Sequence, residues 1–254
     1  MKRYGQNFLY DVSILKRIIQ VSQLGPDDYV IEIGTGHGLL TRLLAERVRR
    51  VTTIELDKRL YEKAKKELED FDNIELVYGD ALKYPFEKLS NFKVIANIPY
   101  YITSPLIFKL LEAREKIDTI TITVQKEVAE RVVAKPGSKS YGILSIMVQY
   151  YAKPFIKFII PRGAFRPPPN VDSAVLHIII LRTPSVDVKD EGLFFKIVKA
   201  AFSKRRKMLS NSLKVFYKDV KKWLEMANVE PTRRPETLTI KEFAKIADSL
   251  CLLL

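Results

Sequence analysis

An α/β fold with a mostly parallel sheet, followed by a small all-α part, is predicted by three observations. β-type runs alternate with helical patterns over the first two thirds of the 254-residue chain, the first run ends in a glycine cluster, and the last stretch carries only helical spacing. Tyr29-Val30-Ile31-Glu32-Ile33 is a short β-rich run, and an amphipathic helical pattern follows from Leu39 through Val48, giving strand, turn and helix. The pattern recurs with Arg50 to Glu55 as strand, Lys58 to Asp70 as helix and Ile74 to Tyr78 as strand. Lys93 to Asn97 then reads as strand, Ser104 to Ala113 as helix and Thr119 to Gln125 as strand, so βαβ units are expected. After a helix over Tyr141 to Tyr150, two further strands, Lys153 to Ile160 and Ser173 to Arg182, flank a Pro-rich loop and complete seven. Strands joined without a long helix predict an antiparallel pair at that end of the sheet. The boundary falls at Thr183-Pro184, beyond which Leu193, Ile197, Ala200 and Ala201, and later Val220, Trp223 and Leu224, follow helical spacing. Residues 1–183 are therefore read as an α/β domain and 184–254 as a small all-α domain.

Composition narrows the chemistry. One cysteine, Cys251, makes no disulfide framework and no Cys-based zinc site, and two histidines, His37 and His177, make no His-rich metal centre. No metal is expected. The longest apolar stretches, such as Val175 to Leu181, fall far short of the ~18–20 residues that span a bilayer, and the N-terminus has no apolar core before a cleavage site, so a soluble cytoplasmic protein is expected. The net charge of +13 predicts a polyanionic partner, because phosphate neutralisation releases counterions. Nucleic acid leads and an anionic membrane surface trails; the bland alternative is a generically Lys-rich surface. Residues 184–254 hold 15 of the 43 basic side chains and 9 of the 30 acidic ones, so this part is the more cationic.

Glu32-Ile33-Gly34-Thr35-Gly36-His37-Gly38 sets three glycines at spacing two directly after the first strand. Glycine there lets the backbone approach a ligand closely, and the next helix presents free N–H groups. The spacing is not that of the dinucleotide motif GxGxxG, and a plain tight turn is the alternative. Glu55 ends the second strand, 21 residues beyond Gly34, where a carboxylate can accept from both ribose hydroxyls. Asp57 reads as the N-cap ahead of Lys58. A third strand ends at Gly79-Asp80-Ala81, where Asp80 can accept from an adenine amino group. Turn, acid and second acid together resemble the nucleoside pocket of class I S-adenosylmethionine-dependent methyltransferases. His37 reads as an exposed polar turn residue.

The fourth strand ends in Asn97-Ile98-Pro99-Tyr100. An exocyclic adenine N6 is a poor nucleophile because its lone pair is delocalised into the ring. Two acceptors on the amino hydrogens, the Asn97 side-chain oxygen and the Ile98 carbonyl, would draw N6 toward tetrahedral geometry and aim the pair at a sulfonium methyl. Pro99 fixes the backbone after that carbonyl, and Tyr100 offers a stacking face worth ~1–3 kcal/mol in nucleic-acid systems. The alternative is a strand-ending Asn-x-Pro turn with a core tyrosine.

With these motifs in this order, the chain resembles the small-subunit rRNA adenine N6,N6-dimethyltransferase family, the dimethyladenosine transferases associated with kasugamycin sensitivity. The resemblance runs from Tyr4-Gly5-Gln6-Asn7-Phe8-Leu9 through Glu55-Leu56-Asp57 to Gln125-Lys126-Glu127-Val128-Ala129-Glu130-Arg131. It continues with Phe165-Arg166-Pro167-Pro168-Pro169-Asn170-Val171-Asp172-Ser173 and Ala201-Phe202-Ser203-Lys204-Arg205-Arg206-Lys207, covering essentially the whole chain. It implies a Rossmann-like class I methyltransferase domain over 1–183 and a helical RNA-binding domain over 184–254. The implied cofactor is S-adenosylmethionine, leaving as S-adenosylhomocysteine, with no metal. Cofactor contacts carry over to Asn7, Leu9, Gly34, Gly36, Glu55, Asp80, Ala81 and Asn97. Target-base residues carry over to Asn97, Ile98, Pro99 and Tyr100, with Phe165 stacking on the adenine's other face. The implied substrate is small-subunit rRNA or an immature small ribosomal subunit, with two adjacent adenines in the 3′-terminal hairpin each methylated twice, and the enzyme is expected to be a monomer. Thr35 stands where Pro is common and Ile98 where Leu is common; both positions act through backbone, so no functional atom is lost.

Phe165 precedes a stiff Pro-rich loop suited to holding an aromatic over a pocket, an ordinary linker with a buried Phe being the alternative. Lys204, Arg205, Arg206 and Lys207 fan around a helix and suit phosphate contact, and Lys2, Arg3, Arg162 and Arg166 extend the basic set. His177 and Trp223 read as core. Rival readings are a large-subunit rRNA adenine methyltransferase of macrolide-resistance type, a non-catalytic RNA-binding assembly or transcription factor on the same fold, and a DNA adenine methyltransferase.

Overall fold

The computed structural model describes residues 6–203 and 207–253. In chain order the elements are β1 (Phe8–Leu9), α1 (Val12–Val21), β2 (Tyr29–Ile33), α2 (Leu39–Ala45), β3 (Arg50–Glu55), α3 (Lys58–Glu67), β4 (Ile74–Tyr78) and β5 (Phe92–Asn97). They continue as α4 (Thr103–Glu112), β6 (Ile117–Gln125), α5 (Lys126–Val133), α6 (Ile143–Tyr151), β7 (Ala152–Ile160), β8 (Phe165–Arg166) and β9 (Ser173–Ile180). The α-helices that follow among the described residues are α7 (Glu191–Ser203), α8 (Leu209–Ser212), α9 (Val220–Met226) and α10 (Ile240–Leu250).

The chain forms two compact units, Met1–Ala129 with Lys153–Arg182, and Glu130–Ala152 with Thr183–Leu254. The first holds a seven-stranded sheet in the order β4-β3-β2-β5-β6-β9-β7. The pairs β2–β3, β2–β5, β3–β4 and β5–β6 are parallel, and β6–β9 is antiparallel. β2 sits centrally and is buried at every residue, which is why it reads as a continuous apolar run broken only by Glu32. Each Val or Ile it buries contributes about 1.5–3 kcal/mol. Asp11 caps α1, accepting from Ser13 N–H at 2.8 Å, and Asp57 caps α3, accepting from Arg59 N–H at 2.9 Å. Each cap is worth about 1 kcal/mol.

Two features of this unit position the site. From β2 the chain winds outward through β3 and β4, then returns to lay β5 on the other side of β2, so strand order reverses between β2 and β5. A crevice opens at the carboxyl ends of strands at such a reversal. Secondly, β1 pairs with β8 as a separate two-stranded ribbon, Phe8 opposite Arg166 and Leu9 opposite Phe165.

The second unit is helical, but it includes residues 130–152, which the sequence reading assigns to the α/β domain. Aromatic stacking accounts for the difference. Tyr150 of α6 lies 4.9 Å from Phe194 and 5.2 Å from Phe195 of α7, and the Tyr151 hydroxyl donates to Glu191. Helical periodicity shows which face of α6 is apolar, not which body receives it. Trp223 is fully buried and donates its indole N–H to the Ile246 carbonyl and Ser249 Oγ, each at 3.0 Å. Thr239 and Glu242 close a capping box at the start of α10. His177, also expected in the core, is fully buried in the first unit with Nδ1 2.9 Å from Thr121 Oγ1. Among the described residues no helix is long and apolar enough to cross a membrane.

Candidate active site

Each of the parallel strands β2, β3, β4 and β5 ends in one of the motifs singled out in the sequence, and all four motifs line a single pocket. Gly34 and Gly36 come from the turn after β2, Glu55 from the end of β3, Asp80 and Ala81 from the turn after β4, and Asn97, Ile98 and Pro99 from the end of β5. Asn7 and Leu9 close another wall. Gly34, Gly36 and Gly38 have φ of +87°, +55° and +71°, so the turn needs glycine for its backbone conformation. A Cβ on Gly34 would stand 3.4 Å from the Asn97 carbonyl, so the glycine turn and the tetrapeptide lie side by side across the strand reversal.

Glu55 organises that turn. Its Oε2 accepts the Gly36 N–H at 2.9 Å and its Oε1 the Asp57 N–H at 2.8 Å. Burial raises its pKa, and these two backbone N–H groups pull against that shift. Each oxygen keeps a lone pair for a ligand hydroxyl. Asp80 caps the short helical turn Ala81–Lys83 through Leu82 N–H at 2.9 Å.

Beneath the turn lies a network absent from the sequence reading. Glu32 is fully buried, and its Oε2 accepts from Thr41 Oγ1 and Thr53 Oγ1, both at 2.6 Å. Thr53 spends its proton there, so Thr35 Oγ1, 2.7 Å away, donates to Thr53. Thr35 therefore contributes a side chain as well as backbone. Burial raises the Glu32 pKa to about 7, against the two hydroxyl bonds and with the nearby Glu55 charge adding to the rise. Its Oε1 has no hydrogen-bond partner, and Glu32 contributes to the pocket lining. The signal was an acid inside an otherwise apolar strand.

Three aromatics depart from expectation. Phe165 is 2% exposed in the core with Leu9, Leu15, Phe158, Ile160 and Val175, and it is not part of the pocket wall. Residue 165 lies in β8 ahead of the Pro-rich loop, opposite Leu9 in the ribbon, so the structure buries the ring for which stacking on the adenine was expected. Tyr100 is half-buried with its hydroxyl 2.7 Å from Ser173 Oγ, while the neighbouring Tyr101, 60% exposed, lines the pocket. His37 is not an exposed polar residue either. Its ring packs 4.8 Å from Phe8 and 5.6 Å from Tyr10, and burial, with Lys63 assisting, lowers its pKa, so the imidazole is neutral at pH 7. No local pattern in the sequence links residues 8, 10 and 37.

Arg162 and Arg166 are exposed on the loop between β7 and β9, and Lys207 is exposed in the helical unit. Lys204, Arg205 and Arg206, like Lys2, Arg3 and the Tyr4-Gly5 start of the first motif, lie outside the described residues. Among the described residues no cluster of three or more His, Cys, Asp or Glu could hold a metal ion.

A pocket with a nucleoside-type acid pair and a paired acceptor at a strand reversal fits a methyl donor and an amino acceptor, and comparisons with known proteins agree. The family described as ribosomal RNA adenine dimethylase matches residues 1–251. Ribosomal RNA small subunit methyltransferase A of Caldanaerobacter subterraneus is 44% identical over 263 residues, covering 100% of this chain and 98% of the relative. A dimethyladenosine transferase from Plasmodium falciparum superposes with a TM-score of 0.80 at 30% identity, over 94% of this chain and 95% of that one. The 23S rRNA methyltransferase ErmE superposes with a TM-score of 0.77 at 30% identity, over 96% of this chain and 100% of that one. The chain therefore belongs to the ribosomal RNA adenine dimethylase family, the enzymes that place two methyl groups on adenine N6 of ribosomal RNA.

Proposed function

We propose that this protein uses S-adenosylmethionine to dimethylate N6 of two adjacent adenines in the 3′-terminal hairpin of small-subunit rRNA, in the cytoplasm, on an immature subunit. The observation that carries the reading is the adjacency of the glycine turn and Asn97 across the β2/β5 reversal, which brings the residues proposed for the donor and those proposed for the target amino group into one pocket. The residues present fit the cofactor. Glu55 suits the ribose hydroxyls, Asp80 the adenine amino group, and Asn7 and Leu9 the methionine side. Two relatives at 44% and 42% identity, both described as ribosomal RNA small subunit methyltransferase A, support the small-subunit target.

When bound, S-adenosylmethionine supplies an electrophilic sulfonium methyl and leaves as S-adenosylhomocysteine. The Asn97 side-chain oxygen and the Ile98 carbonyl accept from the two amino hydrogens and orient the nitrogen for in-line attack. Pro99 holds that carbonyl in place. Once alkylated, the nitrogen is cationic and acidic, so these acceptors pass its proton to water and no dedicated base is needed. The exposed bases of a hairpin loop enter such a pocket at low cost. Lys204 to Lys207, with Arg162 and Arg166, are assigned to phosphate contacts. Incubating immature small subunits with the protein and labelled S-adenosylmethionine, then analysing the rRNA by mass spectrometry, is the test. Dimethyladenosine at two neighbouring positions is the expected result, and unlabelled rRNA would overturn the proposal.

A further inference from the structure

The turn that carries the amino-group acceptors leaves β5 and is tied down two strands away. Asn97 is opposite Thr123 on β6, and β6 in turn sets Gln125 opposite Ser173, the first residue of β9. The Tyr100 hydroxyl reaches past the end of β6 to the Ser173 Oγ at 2.7 Å. Ser173 is fully buried, so its hydroxyl sits at a fixed point. The strand start around it is anchored as well: the Asp172 carbonyl accepts the Lys126 N–H at 3.0 Å and the Asp172 carboxylate accepts the Arg162 N–H at 2.9 Å.

We propose that Ser173 is a positioning residue for methyl transfer, holding the Tyr100 phenol so that the Asn97-Ile98-Pro99-Tyr100 turn keeps both amino-group acceptors aimed at the target nitrogen. This rests on the function proposed above. Ile98 presents its carbonyl from a turn whose far end is anchored through the Tyr100 hydroxyl, and a tilt of that turn moves the carbonyl away from the amino hydrogen it must meet. Catalytic geometry tolerates only a fraction of an ångström of such misplacement. A buried serine on a strand is a stiffer anchor than water, because it has no freedom to follow the turn.

A double-mutant cycle tests the coupling. Ser173→Ala and Tyr100→Phe each remove one oxygen with little change in volume. Each is expected to lower kcat on immature small subunits by about tenfold, the effect of removing one hydrogen bond from a pre-organised site, while the cofactor Kd stays within about twofold. The double variant is expected to be no slower than the slower single variant, and Ser173→Thr, which keeps the hydroxyl, to recover most of the rate. A serine that only supported the fold would lower Tm and cofactor affinity together. Additive losses, or an unchanged kcat in either single variant, would overturn the role. Should Ser173→Ala fail to fold, Tyr100→Phe with wild-type kcat would overturn it alone. A wild-type protein that leaves the subunit unlabelled overturns both this role and the function beneath it, whereas a labelled wild type with additive variants overturns the positioning role only.

Discussion

Glu55 is bound to the turn it faces: one carboxylate oxygen takes the Gly36 N–H at 2.9 Å, and the other takes the Asp57 N–H at 2.8 Å. Its removal is therefore expected to cost twice, once in the proposed ribose contacts and once in the shape of the turn. Charge-assisted hydrogen bonds contribute about 1.5–3 kcal/mol each, so Glu55→Ala should raise the S-adenosylmethionine Kd by about tenfold to a hundredfold. Isothermal titration measures it. An unaltered Kd would mean that the ribose is held elsewhere.

Asn97 lines the donor pocket but is proposed to act on the acceptor. Loss of one pre-organised hydrogen-bonding partner at a reacting centre costs about 10²–10³ in rate. Asn97→Ala should thus lose kcat by at least that factor with only a few-fold change in cofactor Kd. Single-turnover methyl transfer separates the two quantities, and near-normal turnover would refute the orienting role.

Buried Glu32, raised from 4.5 to about 7, predicts a pH dependence of stability. Between those values the native state holds a proton that the unfolded state has lost. Stability is therefore fullest below about 4.5 and declines as pH rises through 7, by an amount up to about 3 kcal/mol. Glu32→Gln removes the titration and should flatten the slope of Tm between about pH 5 and pH 8. Parallel slopes in the two proteins would show that the carboxyl titrates normally.

Arg162, Arg166 and Lys207 are exposed, and these cations and residues 204–206 are the ones proposed to contact phosphate. Every cation withdrawn from a phosphate lowers the slope of log affinity against log salt by about 0.7–0.9. Neutralising Lys204 to Lys207 should therefore reduce both affinity and salt slope in filter binding to rRNA, and an unchanged slope would leave the cluster as solvated surface.

The sheet was legible because its signals are local. Glycines at spacing two marked a turn where backbone can approach a ligand, and acids followed at the strand ends, so the order of these motifs together with the family resemblance brought Gly34, Glu55, Asp80 and Asn97 into one expected pocket. What escaped was long-range. Nothing near Phe165 tells that it lies opposite Leu9, and nothing near Tyr100 tells that its hydroxyl meets Ser173. Residues 130–152 carry a clear helical pattern, yet it does not tell that Tyr150 packs on Phe194 and Phe195. Periodicity gives an element its apolar face, and only tertiary structure gives that face its neighbour.

The pairing of Leu9 with Phe165 also bears on how the molecule is made. A ribosome must synthesise β8 before the strand at the other end of the unit has anything to pair with. Until then the growing polypeptide carries the glycine turn and its acids with one wall missing. A nascent chain released short of residue 165 should accordingly emerge with most of its methyl-donor motifs and no finished place to hold the donor.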